Sequence, residues 1–184
     1  EKESKEKDKV KRPNLDVTCG LEMDDMSLQK GLVAVQDFFT TTLVDVDEAF
    51  PNGSTFVTNC KDSAVKLHKK YVDATEKGKV SMARELRFHK FQDKNFNAME
   101  PQIFKQLLSK LSKGLKTVVK RRLKRSSNKS SLTALFFSVL VSVFDGSSQT
   151  RKALRQCIDE PEFDDTHEVT SNLDEYNEIV DCCI

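Results

Sequence analysis

The stretch Leu132 to Phe144, LTALFFSVLVSVF, decides how the rest of the chain is read. It is the longest apolar run in the sequence and is interrupted only by Thr133, Ser138 and Ser142. A bilayer span needs ~18 to 20 apolar residues, so a run of this length reads as a buried core element. An element that is apolar nearly all round sits at the centre of a bundle, with other elements on every side. Its β-branched residues leave a strand open as an alternative, but the surrounding sequence favours helix. Only 6 Gly and 4 Pro are spread over 184 residues, with 32% charged residues, 12 Phe and no Trp, a composition poor in turn formers and rich in helix formers.

Working outward toward the N-terminus, the loop Ser126 to Ser131 separates the core run from a segment of marked basicity. Glu100-Pro101 predicts a helix start, because Pro is tolerated in the first turn. Phe104, Leu108, Leu111, Leu115, Val118 and Val119 then mark an apolar stripe running to about Arg125. Ten Lys or Arg and no acid lie between Pro101 and Lys129. Lys113, Lys116, Lys120, Arg121, Arg122, Lys124 and Arg125 are the candidate anion-binding residues, since clustered cations release counterions when they meet a polyanion. The plainer reading is a solvated face whose cations gather at the helix C-terminus, where the macrodipole favours them.

On the other side, Asp145-Gly146 breaks the chain, and Ser147 or Ser148 caps a short helix through Arg155, Cys157 and Ile158. From Asp159 to Ile184 there are ten carboxylates and no Lys or Arg. Phe163, Asp164, Asp165, Asp174, Glu175 and Tyr176 combine negative charge with apolar anchors, a composition suited to docking on a basic partner. The tail could equally neutralise the chain's own basic helix, leaving the observed net charge of +1.

Nearer the N-terminus, residues 1 to 18 are read as a disordered charged leader, too poor in apolar residues to offset their ordering entropy. Ser27 and the aspartates before it offer N-caps for a first long helix, which carries Leu28, Leu32, Val35, Phe39, Leu43 and Val46 and ends near Pro51-Asn52-Gly53. Ser54 or Thr55 is expected to cap a second helix, with Val57, Cys60, Ala64, Leu67 and Tyr71 on its apolar face. Lys79 to Asn95 forms a third, less regular segment. Residues 19 to 158 thus make one helical domain, followed by a partly helical acidic tail from 159 to 184.

Five cysteines, Cys19, Cys60, Cys157, Cys182 and Cys183, suggest one or two bridges in an oxidising compartment. Cys60 could pair with Cys157, and Cys19 with Cys182 or Cys183, but connectivity is not fixed by sequence. Asn52 and Asn128 head glycosylation sequons in expected loops, which suits a secreted chain. The fold expectation is therefore all-α, a disulfide-stapled bundle of five to six helices with a disordered N-terminal leader.

Catalytic and cofactor signatures are missing from the sequence. His68, His89 and His167 lie in separate segments without metal-ligand spacing, and the glycines are scattered singly, with no phosphate loop. The expectation is a non-enzymatic protein with no cofactor and no metal.

The charged leader, the Trp-free helical body, Asn59-Cys60-Lys61 opening an amphipathic helix and the Lys-rich helix at 101 to 125 resemble salivary proteins of blood-feeding insects, of the aegyptin or 30-kilodalton salivary antigen type. The resemblance spans residues 20 to 160 and rests on organisation and composition. It implies a secreted, non-enzymatic trap for a haemostatic or inflammatory host ligand. Taken with the basic helix, the expected partner is an extracellular host protein or glycosaminoglycan, with nucleic acid disfavoured. A helical cytokine-like signal, or an intracellular adaptor that binds a polyanion, are the competing readings.

Overall fold

The computed structural model describes residues 15–22, 27–85, 94–125 and 130–160. These form seven α-helices: α1 (Leu28–Ala49), α2 (Gly53–Asp73), α3 (Glu76–Glu85), α4 (Lys94–Lys110), α5 (Lys113–Arg125), α6 (Leu132–Val143) and α7 (Ser148–Asp159). No strand occurs among the described residues, and the fold they form is all-α.

The core run is α6. Every residue from Leu132 to Val139 is buried, as are Val141 and Val143. Packed around it are α1, α2, α4 and α5. A helix surrounded in this way needs no polar face, which is why its sequence shows no amphipathic period. Both of its serine hydroxyls are satisfied within the helix: Ser138 Oγ donates to the Ala134 carbonyl at 2.7 Å and Ser142 Oγ to the Ser138 carbonyl at 2.7 Å. At its N-terminus Ser131 makes no side-chain cap. The cap comes from α4 instead, where a Glu100 carboxylate oxygen accepts from the Leu132 amide at 2.7 Å. Burial holds the Glu100 carboxyl above its usual range, against the opposing pull of the Leu132 amide and Ser131 hydroxyl.

The single basic helix expected from 101 to 125 is two helices. Pro101 lies inside α4, which begins earlier, and the chain breaks at Leu111 and Ser112. Residues 15–22 cause the break: the Leu21 amide donates to the Lys110 carbonyl at 3.2 Å, and the Ser112 amide donates to the Leu21 carbonyl at 2.9 Å. These bonds redirect backbone groups that would otherwise continue the helix, and Ser112 Oγ accepts from the Leu115 amide to restart it as α5. The expected leader boundary shifts accordingly. Leu15, Val17 and Leu21 are in the core at 1%, 0% and 0% exposure, so the body begins at least at Leu15, while 1–14 lie outside the described residues.

Ser27 caps α1 and Ser147 caps α7, each through its hydroxyl, as expected. For α2, Asn52 takes the N-cap position in the left-handed region (φ 61°), and Ser54 turns back to Asp47 of α1, its hydroxyl 2.6 Å from the carboxylate. The expected Cys60–Cys157 bridge is not formed, and Cys19 is likewise not in a disulfide. Cys60 faces Thr133 of α6, and burial pushes its thiol up to about 12, with the Thr133 hydrogen bonds opposing and the Glu100 charge adding to the rise. A thiol so held stays protonated and is a core side chain, not a nucleophile.

The α6–α7 corner is a polar clasp. Carbonyls of Phe144, Asp145 and Gly146 accept from His68 Nε2 (2.6 Å), Lys79 Nζ (3.0 Å) and Arg151 Nε (3.1 Å), and Arg151 also reaches the Val72 carbonyl at 2.8 Å. Three long side chains thereby satisfy carbonyls at the ends of α6 and α2. Burial lowers the His68 pKa below 6.5, outweighing the opposing Phe144 bond. An unfolded chain takes up this proton near pH 6.5 while folded His68 stays neutral, so its contribution to stability is full above 6.5 and is lost as pH falls through the folded value. Glu100 has the opposite sign: its raised carboxyl favours the fold at low pH, and that contribution is lost as pH rises from 4.5 through the folded value. Subtracting the urea midpoints of His68→Gln from those of the native chain between pH 5 and 7 isolates the histidine. The difference is expected to grow in the native chain's favour as pH rises, and a flat difference would remove His68 from the account.

Candidate functional site

The α5 helix divides cleanly by burial. Leu115, Val119 and Leu123 recur every four residues and are 5%, 0% and 5% exposed, anchoring the helix on α6. Rotating by 100° per residue, Lys113, Lys120, Arg121 and Lys124 fall on the opposite side, and all four are exposed. At 1.5 Å per residue the line from Lys113 to Lys124 is about 16 Å long. Val118, 39% exposed, lies beside it.

The remaining candidates have other roles. Lys116 is half-buried and its Nζ donates to the Ser109 carbonyl at 3.0 Å, closing the end of α4 across the break. Arg122 is half-buried at the edge of the apolar face, and its Nε is buried with no hydrogen-bond partner among the described residues. Arg125 ends the helix. Lys113, Lys116, Lys120, Arg121, Arg122 and Lys124 make no ion pair with any described residue, while elsewhere on the body Arg151 stands 3.7 Å from Asp73. From Pro101 to Phe144 the sequence itself contains no acid. A cationic stripe on a core-anchored helix, without an ionic partner among the described residues, attracts anions.

Phe163, Asp164, Asp165, Asp174, Glu175 and Tyr176, together with Cys182, Cys183, Asn128, His89 and His167, lie outside the described residues. Asn52 is exposed, although its sequon sits in the tight α1–α2 corner and not in an open loop. Sequence reasoning missed the clasp of His68, Lys79 and Arg151, whose members come from three helices and share no local pattern. It also missed Glu100 as the cap of α6. Among the described residues no group of three or more His, Cys, Asp or Glu is placed to hold a metal. No single helix among them is long and apolar enough to cross a membrane.

No protein-family model matches the chain, and neither a curated protein nor a solved structure is significantly similar to it.

Proposed function

We propose that this chain is a non-enzymatic binding protein that engages an anionic ligand through the exposed cations of α5. The observation that carries the reading is the placement of Lys113, Lys120, Arg121 and Lys124 on one exposed side of a helix whose other side is fixed in the core, with no ionic partner among the described residues. In the secreted form of the proposal the ligand is a host glycosaminoglycan or the acidic surface of a host haemostatic or inflammatory protein. With Cys60 and Cys157 unjoined, that placement rests on cysteine content, the two sequons and the resemblance to salivary ligand traps. Intact mass of the native protein before and after reduction and alkylation reads the compartment directly.

A heparin oligosaccharide is the probe for the surface. Replacing Lys113, Lys120, Arg121 and Lys124 together with Gln is expected to weaken binding by roughly 30-fold, taking about 0.5 kcal/mol for each exposed charge contact. The slope of log affinity against log salt should fall by about one for each cation that had met an anionic group. Lys66, Lys69 and Lys70 on α2 are also exposed and serve as the control. If their replacement by Gln weakens binding as much, net charge and not the α5 stripe holds the ligand.

A further inference from the structure

The charge of this chain is unevenly divided. Residues 161–184 hold eight of its 29 carboxylates and none of its 30 Lys and Arg, so this segment carries −8 and the rest of the chain +9. The other stretches outside the described residues offer little to the α5 stripe. Residues 1–14 have six cations against four acids, 86–93 two against one, and 126–129 one cation alone. Residues 23–26 hold two aspartates, but they are tied between Glu22 and the start of α1. Within the body the stripe has no ion pair among the described residues.

We propose that residues 161–184 dock on the α5 stripe of the same chain, so that the acidic tail covers the anion-binding surface until an external polyanion displaces it. The proposal rests on the reading of α5 as an anion site and adds how that site is controlled. Reach is not limiting. The tail continues from Glu160 after α7, and 24 residues extend up to about 80 Å, against roughly 40 Å for the diameter of a folded chain of this size. Tethering gives the tail an effective concentration on the order of millimolar, so weak contacts suffice to fill the site. The stripe is about 16 Å long. The pairs Asp164-Asp165 and Asp174-Glu175 supply acids in clusters that match it, while Phe163 and Tyr176 bring apolar groups to the exposed Val118.

Zero-length carbodiimide cross-linking of the full-length chain, read by peptide mass spectrometry, tests the contact without any external ligand. A mixture of isotopically light and heavy protein separates links within a chain from links between chains. The expected result is light–light and heavy–heavy links from Lys113, Lys120 or Lys124 to tail carboxylates, lost at high salt. Tail links only to other lysines, or mixed light–heavy links that mark a second copy as the occupant, would overturn the proposal.

A second measurement compares the native chain with the full-length variant carrying Glu162→Gln, Asp164→Asn, Asp165→Asn, Asp174→Asn, Glu175→Gln and Glu178→Gln. If the tail covers the stripe about nine-tenths of the time, heparin-oligosaccharide affinity rises about tenfold in this variant, and the roughly 30-fold loss on replacing the four α5 cations is then read in this background, where no tail competes. The gain should vanish when the four α5 cations are also replaced, since the two changes then act on one contact. A gain that persists in that background reflects net charge and overturns the docking. No gain in the tail variant, with binding still lost in the α5 variant, overturns the docking and leaves the anion site standing. Loss of neither sinks the anion site, while the cross-links still decide where the tail lies.

Discussion

Phe136→Ala is expected to lower the thermal midpoint by about 10 °C, the largest drop of any single truncation considered. Phe136 is 0% exposed on α6, and its ring meets that of Phe39 edge-on at a centroid distance of 5.0 Å. Removing it takes away the buried ring and leaves a cavity that four packed helices cannot easily collapse. Such truncations cost about 3–5 kcal/mol. For a chain of this length each kcal/mol moves the midpoint by roughly 2–4 °C. Val44→Ala on α1, where the side chain is 54% exposed, is the matched control and should move it by a degree or less. Melts followed by circular dichroism decide the matter. If Phe136→Ala melts within a few degrees of the native chain, α6 is not the core helix, and the rigid support beneath α5 goes with it.

What could be read from the sequence follows how local each signal is. The role of α6 was legible because an uninterrupted apolar run has one economical burial. The basic character of α5 was legible in its run of Lys and Arg, but the sequence grouped Lys116 and Arg122 with the exposed cations and placed Val118 on the apolar stripe, whereas Lys116 and Arg122 are half-buried and Val118 is 39% exposed. The break between α4 and α5 was not legible, because it is made by Leu21, some ninety residues earlier, competing for the backbone of Lys110 and Ser112. One clue was present: Leu15 and Val17 alternate in a polar setting, the period of an extended strap with one buried side. Pro101 misled for a related reason. A proline is favoured at a helix start, but nothing local prevents a helix from beginning a turn or two earlier and tolerating the missing donor. Cys60 and Cys157 show the limit of residue counting, since two thiols on helices of one bundle need not lie within bonding geometry. His68, Lys79 and Arg151 cap carbonyls on distant elements, a role no linear pattern encodes.

The close approach of Gly53 to Val46 yields a second large effect, with a sign that reverses at another glycine. A Cβ built at Gly53 would stand 2.7 Å from Val46 Cγ1 and 2.7 Å from the Val46 carbonyl oxygen. Val46 is 0% exposed, and its carbonyl already accepts from the Phe50 amide at 2.9 Å in the turn that ends α1. Neither atom can withdraw, so Gly53→Ala must push α2 away from α1, in a corner already constrained by Asn52 at φ 61°. Overpacking costs about 1–3 kcal/mol, and a clash with fixed backbone places this one near the upper end. At Gly78 in α3 the same atom meets only Ala74 Cβ and Thr75 Oγ1, both at 3.4 Å, an ordinary contact. There the gain in helix propensity, up to about 1 kcal/mol, is unopposed, and Gly78→Ala should stabilise. Urea midpoints moving in opposite directions for the two variants would establish that the α1–α2 corner is packed backbone against side chain. If Gly53→Ala proves neutral, the two helices stand further apart, and the frame that carries α6 and the α5 stripe is looser than this geometry requires.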